Sequence, residues 1–300
     1  MTPPKEIIGA NTCLGVAMTE AKEIARRFNL RPVAGSFVGN CPACGYKNSL
    51  RVTTQNGKAL WWCGACQDQA AVSAALMGQA AQAAPIAAAA DTSQAQKREW
   101  ALNLWRDAQP AVGTVVERYL AARGISLRDE MPIRFLPNHL CRDSGRRWPV
   151  MIALMVDCAG TPQAIHRTFL AHDGKGKAPI ATPRKTLGMV AGAAVRLAPV
   201  ADRLVIGEGI ETSISAGLML KAPAWAAISA PNLEFKLTLP ASIREIIVAA
   251  DHDGPGLKAA KAALARWRGE GRVVKIARPQ KPGEDFNDLW RSRGSAENER

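Results

Sequence analysis

The chain has 300 residues and a net charge of +13 at pH 7, from 39 lysines and arginines against 26 aspartates and glutamates. With 47% hydrophobic and 22% charged residues, its composition excludes a disordered or fibrous protein. The apolar run VMIALMV is too short to cross a bilayer and residues 1–13 lack the pattern of a signal peptide, so we expect a cytoplasmic protein with no membrane partner.

A short helix is predicted ahead of a cysteine-rich module. In residues 19–28, TEAKEIARRF, the side chains of Ile24 and Phe28 lie on one helical face, and Thr19 is a residue type that caps helix N-termini. The module that follows runs from about Phe37 to Asp68.

Four of the seven cysteines form two Cys-x-x-Cys pairs, Cys41 with Cys44 and Cys63 with Cys66, and 18 residues separate the pairs. Two such turns close a tetrahedral four-sulfur site around Zn²⁺, and an Asn-Gly hairpin signal between them is typical of a zinc ribbon. A redox pair or chance spacing is the alternative. Four protein ligands leave no open position, so we expect the zinc ion to be structural.

Two adjacent tryptophans, Trp61 and Trp62, precede the second cysteine pair. Indole rings near Arg51 and Lys58 can stack on the bases of a single strand while the cations contact its phosphates. The alternative is that the rings pack against the ribbon and its leading helix. Both tryptophans are therefore candidate nucleic-acid contacts.

An Ala- and Gln-rich stretch, residues 70–97, predicts a partly helical linker with few large side chains to pack. Beyond it, REWALNLWRDAQ and TVVERYLAARGI repeat apolar residues at helical spacing. The shorter runs WPVMIALMVD and QAIHRTFL predict two strands, joined by a turn at CAGTP.

Positive charge is concentrated in the middle of the chain. Between Arg134 and Arg196 there are ten lysines and arginines and three acids, whereas residues 201–290 hold 12 bases and 11 acids. This distribution favours a nucleic-acid partner, although a basic loop can also be merely solvated. The candidate phosphate contacts are Arg146, Arg147, Arg167, Lys175, Lys177, Arg184 and Lys185.

Residues 201–290 alternate strand-like and helix-like segments. RLVIG, AWAAIS, REIIVAA and RVVKIA predict strands, and ETSISAGLML and GLKAAKAALARWR predict helices. Continuous apolar strands separated by helices indicate a mostly parallel sheet covered on both faces. The predicted fold class is therefore α/β, within a chain of several domains.

Three acids follow two of these strands: Glu208 comes after RLVIG, and Asp251 and Asp253 come after REIIVAA. Because ligands of open parallel sheets bind beyond the carboxyl ends of strands, we expect the three carboxylates to converge. Close carboxylates repel one another unless a cation lies among them, and hard oxygen ligands suit Mg²⁺ or Mn²⁺. The alternative is that each acid caps a helix.

These motifs resemble a known family. A strand ending in Glu-Gly and a later strand ending in Asp-x-Asp-x-x-Gly resemble the Toprim domain of bacterial-type primases, topoisomerases and some nucleases. A Cys-Pro-x-Cys zinc ribbon, a linker and a basic segment ahead of Toprim resemble the DNA primases of bacteria, phages and mobile elements. The stretch GEDFNDLW is similar to the acidic ending of phage and plasmid primases.

The resemblance implies five segments. They are a zinc-ribbon domain with its leading helix (1–69), the linker (70–97), a mixed α+β basic subdomain (98–200), a Toprim catalytic domain (201–290) and a tail (291–300). The chain departs from many replicative primases, which have Glu-Gly-x-x-Asp after the first strand, because EGIET places Glu211 and Thr212 there. Cys44 stands where bacterial replicative primases usually carry histidine, and matches the four-cysteine phage type.

A primase joins ribonucleotides into short RNA primers on single-stranded DNA, so the resemblance implies single-stranded DNA and ribonucleoside triphosphates as partners. It also implies structural Zn²⁺, and catalytic Mg²⁺ or Mn²⁺ held by Glu208, Asp251 and Asp253. Asp285 and Asp288 would hold a second ion or position the first. Since the sequence has no GxxxxGK[ST] phosphate loop, we expect a separate replicative helicase.

Other functions fit parts of the same pattern. A Toprim nuclease would use the metal site to activate water, and a loading factor would bind single strands without chemistry. A topoisomerase would need a catalytic tyrosine, and the two tyrosines, Tyr46 and Tyr119, lie outside the predicted Toprim segment.

Overall fold

The computed structural model describes residues 21–33, 35–55, 58–64, 68–77 and 87–298. The chain divides into two compact units, Met1–Pro85 and Ile86–Arg300. Thr19, Cys66 and the Asn-Gly turn lie outside the described residues. Within the described ranges, none of the helices combines the length and the hydrophobicity that a membrane crossing requires.

The first unit is a four-stranded antiparallel sheet packed with two helices. Its elements are residues 21–27 (α1), Arg31–Val33 (β1), Ser36–Gly39 (β2), Leu50–Gln55 (β3), Lys58–Cys63 (β4) and Gln69–Met77 (α2), with strand order β1-β2-β3-β4. Ile24 of α1, Val52 of β3 and Leu76 of α2 share one core. In the β3–β4 hairpin, Leu50 lies opposite Cys63, so this predicted zinc ligand lies on a strand of the core.

The second unit begins with helix α3 and an antiparallel sheet. The elements are Ala87–Asp107 (α3), Gln109–Pro110 (β5), Val115–Ala121 (α4), Ile133–Cys141 (β6), Arg146–Val156 (β7), Pro162–Phe169 (β8) and Arg184–Gly188 (β9), with strand order β5-β6-β7-β8-β9. One face packs against α3 through Ile152 and Ile165. The other face packs against α4 through Met151 and Ala164.

Strand β6 is missing from the sequence-based prediction, and Pro137 explains why. Proline has no backbone N–H, so within sheets it is confined to edges, strand ends and bulges. The pairing of β6 with β7 shifts register between Leu136 and His139, on either side of this proline. The apolar pattern therefore predicts β7 and β8 but not the β6–β7 hairpin.

The remainder of the second unit is built on a five-stranded sheet. Its strands are Val195–Arg196 (β10), Arg203–Gly207 (β11), Ala224–Ala226 (β12), Glu245–Ala249 (β13) and Val273–Ala277 (β14), in the order β10-β12-β11-β13-β14. The pairs β11–β12, β11–β13 and β13–β14 are parallel, and the short β10 is antiparallel to β12. The predicted α/β class and its mostly parallel sheet are confirmed.

Helices cover both faces of this sheet. The covering elements are Ile210–Leu220 (α5), a π-helical turn at Asn232–Lys236, Gly254–Gly269 (α6) and Phe286–Asn298 (α7). Val205 and Ile247 pack with Ala216 of α5 and Phe286 of α7. Because side chains alternate along a strand, the residues between them face the other side, where α6 contacts β13 and β14.

The strand order creates a switch point between β11 and β13. From β11 the chain crosses through α5 to β12 on one side, whereas β13 lies on the other side of β11 and leads through α6 to β14. Open α/β sheets bind ligands in the crevice at such a point, beyond the carboxyl ends of the strands. Glu208 follows β11 and Asp251 lies just beyond β13, so both acids are at this crevice.

Candidate functional site

Three of the four predicted zinc ligands lie together in the first unit. The Sγ atoms of Cys41, Cys44 and Cys63 lie within 4.8 Å of one another, with 3.7 Å between those of Cys44 and Cys63. Thiolates bound to tetrahedral Zn²⁺ at about 2.3 Å stand about 3.8 Å apart, so this spacing fits zinc. Gly45, at φ +72°, closes the turn by donating its N–H to the carbonyl of Cys41. Cys66 lies outside the described residues.

The two tryptophans of the ribbon have different surroundings. Trp61 packs against the core of the first unit and donates its Nε1–H to Ser73 of α2, at 3.0 Å. Trp62 is 48% exposed and lies opposite Arg51 in the β3–β4 pairing. Trp61 therefore has a packing role, whereas Trp62 remains placed for stacking on a nucleobase.

The second unit gathers five acids around the switch point. Glu208 follows β11, Asp251 and Asp253 follow β13, and Asp285 and Asp288 lie at the start of α7. Asp253 accepts a hydrogen bond from Gly256 N–H at 2.7 Å and caps α6, as the capping alternative predicted. Asp285 accepts from the N–H of Asp288, and the Asp288 carboxylate accepts from the N–H of Asp285, so this pair caps α7.

The carboxylates of this cluster act on one another electrostatically. Burial, together with the negative charges of Asp251 and Asp253, raises the pKa of Glu208 to about 7. Burial, together with the charges of Asp285, Asp253 and Asp288, raises the pKa of Asp251 to about 6. Opposing both shifts, the guanidinium of Arg184 favours the charged carboxylates. The cluster thus concentrates more negative charge than its surroundings neutralise.

The donor atoms of the cluster fit a hard divalent cation. Asp251 Oδ1 is buried and has no hydrogen-bond partner among the described residues, which leaves it available as a ligand. Among all the residues that the structure describes, three potential ligand atoms come within 4.8 Å of one another only at the cysteines of the first unit. The acids therefore border a wider space, which suits Mg²⁺ because it usually keeps several waters.

Comparison with known families assigns the part of the chain that carries this cluster. Residues 203–296 match the family described as Toprim domain. This segment is a Toprim domain. Residues 95–197, which lead into it, match a family described as a domain of unknown function (DUF7146). No curated protein matches the chain.

Several solved primase structures align with this chain at low sequence identity. The zinc-binding and RNA polymerase domains of the Aquifex aeolicus primase share 14% identity, with 96% of this chain and 84% of that chain covered and a TM-score of 0.48. A DNA primase domain from Pseudomonas aeruginosa shares 16%, covering 65% and 74%, with a TM-score of 0.46. The primase fragment of the bacteriophage T7 primase-helicase shares 15%, covering 87% and 97%, with a TM-score of 0.41.

Two predicted cations lie beside the acids of the Toprim domain. The positive charge of Arg184, on β9, opposes the rise in the pKa of both Glu208 and Asp251. Lys177 lies on the loop before β9. Burial lowers its pKa, and the negative charges of Glu211 and Asp285 oppose this shift. A cation beside a carboxylate cluster is placed to contact an anion that bridges the two.

Two other predicted cations lie elsewhere on the same sheet. Arg167 of β8 pairs with Lys185 of β9, one residue away from the pair that contains Arg184, so alternation points both to the opposite face. Lys185 forms an ion pair with Asp143 at 2.6 Å. The guanidinium of Arg167 lies 3.4 Å from Nε2 of His139. Their position does not favour contact with the carboxylate cluster, and their role in binding nucleic acid stays a prediction.

The remaining predicted cations are exposed. Arg146 and Arg147 lie at the start of β7, beside the β6–β7 turn, and Lys175 lies in the turn before Lys177. Arg147 donates to the carbonyl of Asn138 at 2.9 Å, which holds it against the hairpin. These side chains present a basic surface and stay candidates for phosphate contacts.

The loop after β12 also holds Glu208, which the sequence analysis does not anticipate. Ala230 N–H donates to the Glu208 carboxylate and so favours its charged form. Ile228 N–H donates to the backbone carbonyl of Glu208 at 2.8 Å. Ile228 adopts φ +71°, which is unusual for a β-branched residue, and no periodic pattern in the sequence signals it.

The raised pKa values predict a pH dependence of stability in metal-free protein. As pH rises from about 4.5 to 8, Glu208 loses its proton at a lower pH in the unfolded chain than in the folded protein. The free energy of unfolding should therefore fall, by roughly 3 kcal/mol for this group alone. Thermal unfolding at several pH values measures the effect. Glu208→Gln should flatten the profile, and Mg²⁺ at pH 8 should restore the lost stability. A wild-type profile identical to that of Glu208→Gln would show that Glu208 has an ordinary pKa.

Proposed function

We propose that this protein is a DNA primase, a nucleotidyltransferase that makes short RNA primers on single-stranded DNA. The observation that carries the proposal is the Toprim carboxylate cluster at the switch point, with Arg184 and Lys177 beside it. Carboxylates that hold divalent metal, next to cations that hold phosphate, are what phosphoryl transfer from a triphosphate requires. The cysteine cluster and the basic segment ahead of the Toprim domain support the same function.

In this proposal, Glu208 and Asp251 hold a divalent ion, with Asp253, Asp285 and Asp288 contributing charge or water-mediated contacts. Bound Mg²⁺ or Mn²⁺ supplies charge neutralisation for the triphosphate and its leaving group. Arg184 and Lys177 orient the phosphates through charge-assisted hydrogen bonds.

The template is bound by other parts of the chain. We assign it to the exposed Arg146, Arg147 and Lys175, with Arg167 and Lys185 adding positive charge nearby. Trp62 stacks on a base, and the Zn²⁺ of Cys41, Cys44, Cys63 and Cys66 keeps the ribbon folded. A phage, plasmid or other mobile element is the proposed setting, with a separate helicase that opens the duplex.

A nuclease is the second candidate, because the same cluster can activate water. A topoisomerase is disfavoured, since Tyr119 is fully buried and hydrogen-bonded to Glu211, and Tyr46 belongs to the ribbon. An incubation with single-stranded DNA, Mg²⁺ and labelled ribonucleoside triphosphates separates the candidates. We expect labelled oligonucleotides of template-dependent sequence. Shortened DNA without labelled product would favour the nuclease, and DNA binding without either product would favour the loading factor.

A further inference from the structure

Glu211 is a buried acid that the proposed metal site does not use. It lies in the first turn of α5 and is 7% exposed. Tyr119 of α4 donates its hydroxyl hydrogen to Glu211 Oε1, and the Lys177 ammonium lies 4.0 Å from the same atom. A carboxylate at this depth is costly unless charges and donors compensate it, and here both are present.

The surroundings of Glu211 keep it charged despite its burial. Burial alone would raise its pKa, but the ammonium of Lys177, the hydroxyl of Tyr119 and the guanidinium of Arg123 together hold the pKa below its usual range. The N-terminal end of α5 adds to this effect, since helix N-termini favour negative charge. His166, which is also buried nearby, has its pKa lowered to about 4 by burial and so does not compete as a cation.

Glu211 does not belong to the metal cluster. Its carboxylate is held by Tyr119 and Lys177, whereas the acids that raise the pKa values of Glu208 and Asp251, after burial, are Asp251, Asp253, Asp285 and Asp288. The next residue, Thr212, contacts the cluster instead, with its Oγ1 3.5 Å from the Asp285 carboxylate. The shift of the acid from the fourth to the third position after Glu208 thus places its carboxylate against Lys177 instead of against Asp285.

Lys177 interacts electrostatically both with Glu211 and with Asp285 of the carboxylate cluster. Its backbone forms an isolated bridge with Leu170 at the end of β8, which fixes where the side chain starts. The side chain is 25% exposed, and its pKa responds to Glu211, Arg184 and Asp285. An ammonium has three donors, so contact with Glu211 leaves donors free for a ligand.

We propose that Glu211 is a positioning residue that holds the Lys177 ammonium where it binds the triphosphate of the incoming nucleotide. The inference rests on the proposed primase function. Glu211, the acid that departs from the usual motif in EGIET, would thus act in nucleotide binding through Lys177 and would not bind a metal ion. Without this anchor, a lysine side chain has many rotamers and its ammonium would be spread over them.

The test compares Glu211→Gln, Lys177→Ala and the double variant with Glu130→Gln, the same substitution at an exposed acid. Equilibrium binding of fluorescent ATP with Mg²⁺ and the KM for ATP in primer synthesis are both measured. We expect Lys177→Ala to weaken binding about tenfold or more. Glu211→Gln should weaken it about three- to tenfold with little change in kcat, and the double variant should be no worse than Lys177→Ala.

A second measurement does not depend on activity. Removal of the Glu211 charge should lower the pKa of Lys177, so acetylation of Lys177, followed by mass spectrometry, should be faster in Glu211→Gln at pH 8. Additive losses in the double variant, or unchanged acetylation in folded Glu211→Gln, would overturn the inference. If the wild type makes no primers, the proposed function fails whatever the variants do. If it makes primers and Glu211→Gln keeps wild-type nucleotide affinity, only the role of Glu211 fails.

Discussion

Asp251→Asn should reduce primer synthesis about a thousandfold or more while single-stranded DNA binding stays within about twofold of wild type. The carboxylate has a buried oxygen with no partner among the described residues, and we place that oxygen on the catalytic ion. Charge stabilisation by a metal ion is worth several kcal/mol, and each 1.36 kcal/mol is tenfold in rate. Labelled primer yield and fluorescence anisotropy with labelled DNA measure the two effects.

The same substitution should have the opposite effect on stability in metal-free protein. Neutral asparagine removes a charge that repels Glu208, so the Tm at pH 8 should rise by a few degrees. Added Mg²⁺ should then raise the Tm of the wild type more than that of Asp251→Asn. Asp129→Asn, at an exposed acid outside the cluster, is the matched control and should change neither activity nor the Mg²⁺ response. Half or more of wild-type activity in Asp251→Asn would rule out the assigned metal ligand.

Cys63→Ser or removal of the metal by a strong chelator should unfold the first unit and leave the second folded. Zinc binding supplies roughly 10–16 kcal/mol in small zinc peptides, more than the whole stability of a typical small domain. The core of this unit is small and Cys63 is buried within it, opposite Leu50. The second unit has cores of its own, so its thermal transition should persist.

Zinc content by atomic absorption and limited proteolysis of the N-terminal unit check this result. Wild type should carry one zinc ion per chain, and Cys63→Ser should carry much less and be cleaved rapidly between residues 21 and 77. Cys158→Ser removes an exposed cysteine of the second unit and should keep the full zinc content. A full zinc content in Cys63→Ser would overturn the ligand assignment.

Some of this architecture is readable in the sequence because local spacing determines it. The position of Cys41, Cys44 and Cys63 follows from two tight turns, and the parallel sheet follows from apolar strands separated by helices. The charge of Asp251 acts on Glu208 because the two residues follow neighbouring parallel strands, which end at the same edge of the sheet. The cysteine turns and the strands follow from local spacing, whereas the approach of the two acids also requires that β11 and β13 lie side by side.

Other parts of the site depend on tertiary packing and could not be predicted. Arg167 and Lys185 looked equivalent to Lys177 and Arg184 in a basic segment, but a period of two along β8 and β9 sends neighbours to opposite faces. Sequence does not state which face meets the Toprim domain. The partner of Glu211 is Tyr119, 92 residues earlier, and no local pattern joins them.

The left-handed isoleucine beside the acids has a consequence for how the site tolerates change. Ile228 packs against the core shared by α4, α5 and the antiparallel sheet, while its backbone supports Glu208. An isoleucine at φ +71° costs about 1–3 kcal/mol and persists only because that packing over-determines it. Substitutions at Phe135 or Leu127, which pack against the same core, should therefore destabilise this turn and weaken its support of Glu208. Substitutions in the hydrophobic core should therefore affect the proposed metal site without touching any of its carboxylates.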